Sequence, residues 1–192
     1  PHSRRDKEAF GGGLAYADGK LFVTSGYRFV AAVDPNTGKQ LWRTMVDTPI
    51  HGAPVVADGK VMAINIDDEM QTFAADTGTA DWTYQGLTEP ARILKASSPA
   101  IAGDSVVAAF ASGELVALRS ANGNEAWTQV LSRANRTNAL SEIRDIAGRP
   151  VVYRGDVYAG SHSGVFMAVD MRTGQPRWTL PITTISTPWP AG

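Results

Sequence analysis

The 192-residue sequence contains no cysteine, which excludes disulfides and thiolate metal sites and fits an oxidising compartment as well as the cytosol. Its three histidines, His2, His51 and His162, stand too far apart to form a metal-ligand motif. Net charge is nearly absent: 18 Lys and Arg against 19 Asp and Glu leave -1, so no field draws in a nucleic acid or an anionic membrane. No apolar run approaches the roughly 20 residues of a bilayer span, and no charged segment followed by an apolar one opens the chain as a secretion signal does. Sustained helical periodicity is missing as well. What is present is hydrophobic residue, 43% with 19% charged, enough to bury a core.

Aligning the chain with itself reveals four repeats. Each ends in a Gly followed four residues later by a Trp: Gly38 and Trp42, Gly78 and Trp82, Gly123 and Trp127, Gly174 and Trp178. Each opens alike, at Leu14, Pro54, Pro99 and Pro150, and from that opening to the Trp is 28 residues every time. Within a unit the pattern reads as four short strands. In the second, 54–57, 61–64, 70–74 and 80–84 are strands, with a hairpin at Asp58-Gly59 and a Gly-closed turn at Asp76-Thr77-Gly78. Four antiparallel strands at a period near 40 to 45 residues predict an all-β protein, a β-propeller of four four-stranded blades. The blades are expected over approximately 11–48, 51–87, 97–132 and 148–182, with 183–192 starting a fifth. The tryptophan explains the spacing: an indole on the outer strand docks on the next blade and donates its N–H to a backbone carbonyl. An array of four blades is an open half-ring with two exposed strand edges, which are expected to aggregate, swap or pair with another copy, so that the chain is either a dimer or a remnant of a larger protein.

The openings lie 40, 45, 51 and 38 residues apart when Pro188 is counted as the fifth. Since the blade cores are constant, this variation falls between blades. Two consecutive linkers, 83–98 and 128–149, are long, and equivalent linkers emerge side by side on one face. The first carries Leu87, Pro90, Ile93 and Leu94 with Arg92 and Lys95; the second carries Leu140, Ile143 and Ile146 with Glu142, Arg144 and Asp145. Apolar groups mixed with both charge signs suit a protein interface, and long loops on a rigid scaffold are where function concentrates. The competing reading folds these aliphatics back onto the blades as plugs. Elsewhere, Asp67-Asp68-Glu69 reads as a solvated turn, and Ser161-His162-Ser163 has no spacing that would make a nucleophile.

Two segments, Ala32 through Trp42 and Ala168 through Trp178, match Ala-x-Asp-x-x-x-Gly-x-x-x-Trp. This resembles the tryptophan-docking repeat of the PQQ-dependent dehydrogenase-like propellers. The second unit has Thr72 and Ala74 at the Ala and Asp positions and the third has Arg119 for Asp; docking is expected to survive because Gly and Trp remain. Within that superfamily the chain is similar to the BamB family, periplasmic lipoproteins of the outer-membrane β-barrel assembly (BAM) machine, in its alphaproteobacterial form. The likeness runs from Gly11-Gly12-Gly13 through Gly160-Ser161-His162-Ser163-Gly164 to Thr187-Pro188-Trp189.

That resemblance implies an eight-bladed ring of which these blades are part, and a non-catalytic scaffold at the periplasmic face of the outer membrane of a Gram-negative bacterium, held there by a lipid anchor. It also implies partners: a POTRA domain of BamA, gripped by two adjacent inter-blade loops, and unfolded outer-membrane proteins. Ile93, Leu94 and Lys95 in one linker and Asp145 in the other stand where those contacts fall, with Arg92, Glu142 and Arg144 beside them as further candidates, although Ala147 occupies what would be a second acidic position. No cofactor is expected. The rival readings are a quinoprotein dehydrogenase, which resembles its relatives in a calcium and quinone site built with a vicinal cysteine pair, and a propeller that binds another peptide client by strand addition.

Overall fold

Strand after strand in this sequence is short, rich in Val, Ala and Phe, and ended by a Gly turn, which favours meandering antiparallel sheets. The computed structural model describes residues 11–87, 97–131, 146, 148–184 and 186–189, and among them lie sixteen strands and no helix. They form four sheets, each strand paired with its neighbour in sequence. Blade 1 is β1 (Gly12–Ala17), β2 (Lys20–Ser25), β3 (Phe29–Val33) and β4 (Gln40–Met45); blade 2 is β5 (Val55–Ala57), β6 (Lys60–Ile64), β7 (Glu69–Ala74) and β8 (Ala80–Gln85). Blade 3 is β9 (Ala100–Ala102), β10 (Ser105–Ala109), β11 (Glu114–Arg119) and β12 (Glu125–Val130), and blade 4 is β13 (Val151–Tyr153), β14 (Asp156–Gly160), β15 (Phe166–Asp170) and β16 (Pro176–Leu180).

The turns follow from local chemistry. Asp18-Gly19, Asp58-Gly59 and Arg154-Gly155 join the first two strands of their blades with positive φ at both positions, the conformation of a two-residue hairpin that suits strand twist. Between the third and fourth strands the register shifts at the same place in every blade, beside Ala32, Thr72, Ala117 and Ala168. This recurring bulge twists the outer strand just where its Trp stands.

The apolar interior is three slabs, one between each pair of blades, rather than a single core. Side chains alternate along a strand, so an inner blade is apolar on both faces: Val61, Ala63 and Phe73 face blade 1, and Met62, Ile64 and Met70 face blade 3. The surfaces left open at the two ends are therefore sheet faces, not the strand edges anticipated from the sequence. In this meander the inter-blade linkers and the β2–β3, β6–β7, β10–β11 and β14–β15 turns share one side of the array. The hairpins and the Gly-closed turns take the other.

Candidate partner-binding surface and the junctions that carry it

Each closed junction is made by one indole. Trp42 Nε1 donates to the Ala75 carbonyl (3.0 Å), Trp82 Nε1 to that of Ser120 (3.0 Å), and Trp127 Nε1 to that of Met171 (2.7 Å). Every acceptor lies three residues before the Gly of the following blade, and that Gly is the floor on which the indole rests. A Cβ at Gly78 would lie 2.4 Å from Trp42 Cε3, one at Gly123 2.5 Å from Trp82 Cε3, and one at Gly174 2.6 Å from Trp127 Cβ. The glycine thus serves its own turn through a positive φ and the preceding blade through its missing side chain. Sequence reasoning found the first role and missed the second, together with the acceptors, although a constant offset from the glycine marks both. Trp178 has no following blade among the described residues and is 40% exposed.

The turns without Asp keep their closure. Gly78 N donates to Ala74 O (2.8 Å) and Gly123 N to Arg119 O (2.8 Å), as Gly38 N does to Asp34 O (2.9 Å). Where Asp is present it adds a lining. Asp34 accepts from Thr37 Oγ1 and Asn36 N, and these bonds, Thr37's first, hold its carboxyl below the usual carboxylate range. Asp170, bonded to Thr173 N, Thr173 Oγ1 and Arg172 N, is lowered likewise, the Thr173 backbone bond first.

Arg92, Ile93, Leu94 and Lys95 lie outside the described residues, as do Glu142, Arg144 and Asp145. The described starts of both linkers reach adjacent residues of blade 3. At the start of the first, Gly86 N donates to Asp68 O (2.9 Å) and Leu87 N to Glu114 Oε2 (2.6 Å). The second starts at Leu131, whose N–H donates to Gly113 O (2.8 Å). Both starts therefore lie beside the junction of the β10–β11 turn with β11. They also return together, Ser97 Oγ donating to Gly148 O (3.3 Å). Leu87 stays 63% exposed, whereas Ile146 is buried in the slab between blades 3 and 4 and bridges to Ser161; for Ile146 the plug reading is the right one.

The acidic turn is not simply solvated. Asp68 is buried and its Oδ1 accepts from Ala111 N of the next blade (2.9 Å), while Asn65 Oδ1 gathers the N–H groups of Asp67 and Glu69. The turn abuts a neighbouring blade, which the composition of an acidic triplet does not reveal. Ser161 is also buried, bonded to Ser163 and Val165 within its own turn. Among the described residues no three His, Cys, Asp or Glu side chains gather as metal ligands.

Four antiparallel blades clipped by indoles onto glycines define the class: a tryptophan-docked β-propeller of the PQQ-like repeat type. The family described as "Outer membrane protein assembly factor BamB" matches residues 2–192, and the chain belongs to that family. It is 30% identical over 171 residues to the outer membrane protein assembly factor BamB of Burkholderia pseudomallei (strain K96243), covering 88% of this chain and 45% of that one. Among solved structures it is similar to BamB from Moraxella catarrhalis, with a TM-score of 0.83 and 22% identity over 92% of this chain and 54% of that one. The quinohemoprotein alcohol dehydrogenase ADHIIG of Pseudomonas putida HK5 shares the fold at a TM-score of 0.74 and 16% identity, over 94% of this chain and 35% of that one. The chain spans about half the length of the curated relatives it matches.

Proposed function

We propose that this chain is a non-catalytic scaffold in outer-membrane protein assembly, working at the periplasmic face of the outer membrane, and that it grips a POTRA domain of BamA through the linkers 83–98 and 128–149. The observation that carries this reading is the proximity of two long linkers, in a chain of the BamB family: Leu87 and Leu131 bond to the adjacent residues Glu114 and Gly113, and the far ends are joined by the Ser97–Gly148 bond. Two long linkers whose described ends lie together on a rigid scaffold are where a composite recognition surface is expected. Ile93 and Leu94 supply apolar contact, Arg92 and Lys95 a basic flank, and Glu142, Arg144 and Asp145 charges of both signs; unfolded outer-membrane proteins are a second class of client. Leu94→Asp or Asp145→Arg is expected to weaken binding to a BamA POTRA fragment by about 1 to 3 kcal/mol, measured calorimetrically, with an unchanged thermal transition. A fall in melting temperature that tracks the binding loss assigns these residues to packing instead. Retention of PQQ and calcium with dehydrogenase activity, and no POTRA binding, would overturn the scaffold reading.

A further inference from the structure

Glu114 opens β11 with a side chain at the junction of blades 2 and 3, at 7% exposure, and among the described residues no cation pairs with it. A buried carboxylate without a counter-ion depends on hydrogen bonds. Glu114 Oε2 accepts two, from Ser112 Oγ in its own turn (3.0 Å) and from Leu87 N in the linker that leaves blade 2 (2.6 Å). The repeat itself does not call for an acid here. Thirteen residues before each Trp stand Phe29, Glu69, Glu114 and Val165, and the bonds from Asn65 N to Glu69 O, Phe110 N to Glu114 O and Ser161 N to Val165 O mark the last three as equivalents. Phe29 lies under the Arg43 guanidinium, Val165 is buried in the slab between blades 3 and 4, and Glu69 accepts from Asn65 Nδ2 and Gln71 Nε2 within its own blade. Of the four, Glu114 alone reaches back across a junction to hold a linker.

The peptide it holds is pinned from the other side as well. Gly86 N donates to Asp68 O (2.9 Å), and a Cβ at Gly86 would lie 2.8 Å from the ring of Phe110, so any larger residue would push the linker off blade 3. With two consecutive N–H groups committed, the Leu87 side chain is left 63% exposed. Cross-strand partners share a face, so it emerges on the face that carries Val130, which pairs with Glu114 and is 45% exposed.

We infer that Glu114 is a positioning residue for partner binding: its carboxylate fixes the exit of linker 83–98 and presents Leu87 as an apolar contact. This rests on the reading of the chain as a scaffold that grips a POTRA domain through that linker. A carboxylate is a stronger acceptor than a neutral group, and a backbone N–H as its donor sets the course of the main chain whatever side chains follow. An exit ordered in advance leaves less freedom to be lost when the partner arrives.

Glu114→Leu, Glu114→Gln and Leu87→Ser in the 192-residue chain test this through backbone amide exchange and calorimetric binding of a BamA POTRA fragment. Leu removes the acceptor while filling the site, so exchange at Leu87 is expected to rise about tenfold and binding to weaken about tenfold, while Leu131, whose N–H goes to the adjacent Gly113 carbonyl, keeps its protection. Gln retains an acceptor in the same place and should bring both readouts back near those of the unsubstituted chain. Leu87→Ser should weaken binding to a similar extent with its own amide still protected. Unchanged exchange at Leu87 in Glu114→Leu, or unchanged binding although Leu87 exchanges freely, overturns the proposal and leaves the scaffold reading standing. Protection lost at Leu131 together with Leu87, a lower melting temperature and no rescue by Gln would assign Glu114 to the stability of blade 3 and overturn it too. An unsubstituted chain that does not bind the POTRA fragment sinks this proposal and the reading beneath it together.

Discussion

Between blades 2 and 3, Trp82 reaches a carbonyl three residues before Gly123, and the same contact recurs on either side; the two long linkers share neither length nor composition. The difference lies in what each must satisfy. A junction has to match its neighbours in a stack, since one blade cannot bury both faces by itself, so indole, acceptor and floor keep their offsets even where Ala74 and Arg119 replace Asp. A linker has only to start and finish at fixed points. Its length and composition are free to differ, as those of 83–98 and 128–149 do.

The sharpest way to break this contrast is to remove an indole. Trp42→Ala or Trp127→Ala, both at 9% exposure or less in closed junctions, is expected to cost about 3 to 5 kcal/mol of unfolding free energy. Trp178→Ala, at 40% exposure with no following blade among the described residues, is expected to cost this 192-residue chain about 1 kcal/mol or less. Chemical denaturation followed by circular dichroism separates them, and equal losses at all three sites would refute the idea that each indole acts through the next blade.

A smaller effect isolates the floor from the indole. Gly78→Ala places a methyl group against Trp42 and Thr44 and forces it to positive φ, and a loss of about 1 to 3 kcal/mol is expected. Gly38→Ala carries the same backbone strain with nothing to strike, so its loss should be the lesser of the two. The difference between them measures the docking contribution, and identical losses would show that the glycines matter only for their turns.

The repeat was legible because its constraints act on residue types: only Trp fills the slot between blades, and only Gly combines positive φ with a bare surface. Strand runs such as Val61 to Ile64 were legible for the same reason, being buried on both faces. The acceptors escaped because a backbone carbonyl leaves no mark on residue identity; Ala75, Ser120 and Met171 share only a position. Asp68 and Ile146 show a further limit. One is acidic in a turn and the other aliphatic in a linker, and whether such residues face solvent depends on which neighbouring blade covers them. The linker residues read as an interface, Arg92 to Lys95 with Glu142, Arg144 and Asp145, rest on composition and resemblance alone and lie outside the described residues.

The smallest effect compares the Gly-closed turns with one another. Those of blades 1 and 4 carry Asp34 and Asp170, both held below the usual carboxylate range by hydrogen bonds from Thr37 and Thr173; those of blades 2 and 3 have Ala74 and Arg119 in the same place. A carboxyl whose folded pKa is lowered contributes stability that is complete above its unfolded value and is lost as pH falls through the folded one. Acidification into that window should speed amide exchange at Asn36, Thr37 and Thr173 while leaving Gly78 and Gly123, whose N–H groups donate to backbone carbonyls, no faster than the pH dependence of exchange itself requires. Asp34→Ala should abolish the acid sensitivity in blade 1 alone, with docking of Trp42 unaffected because its partners, the Ala75 carbonyl and Gly78, lie in the next blade. An acid response of equal size in all four turns would mean that the carboxylates are not its source.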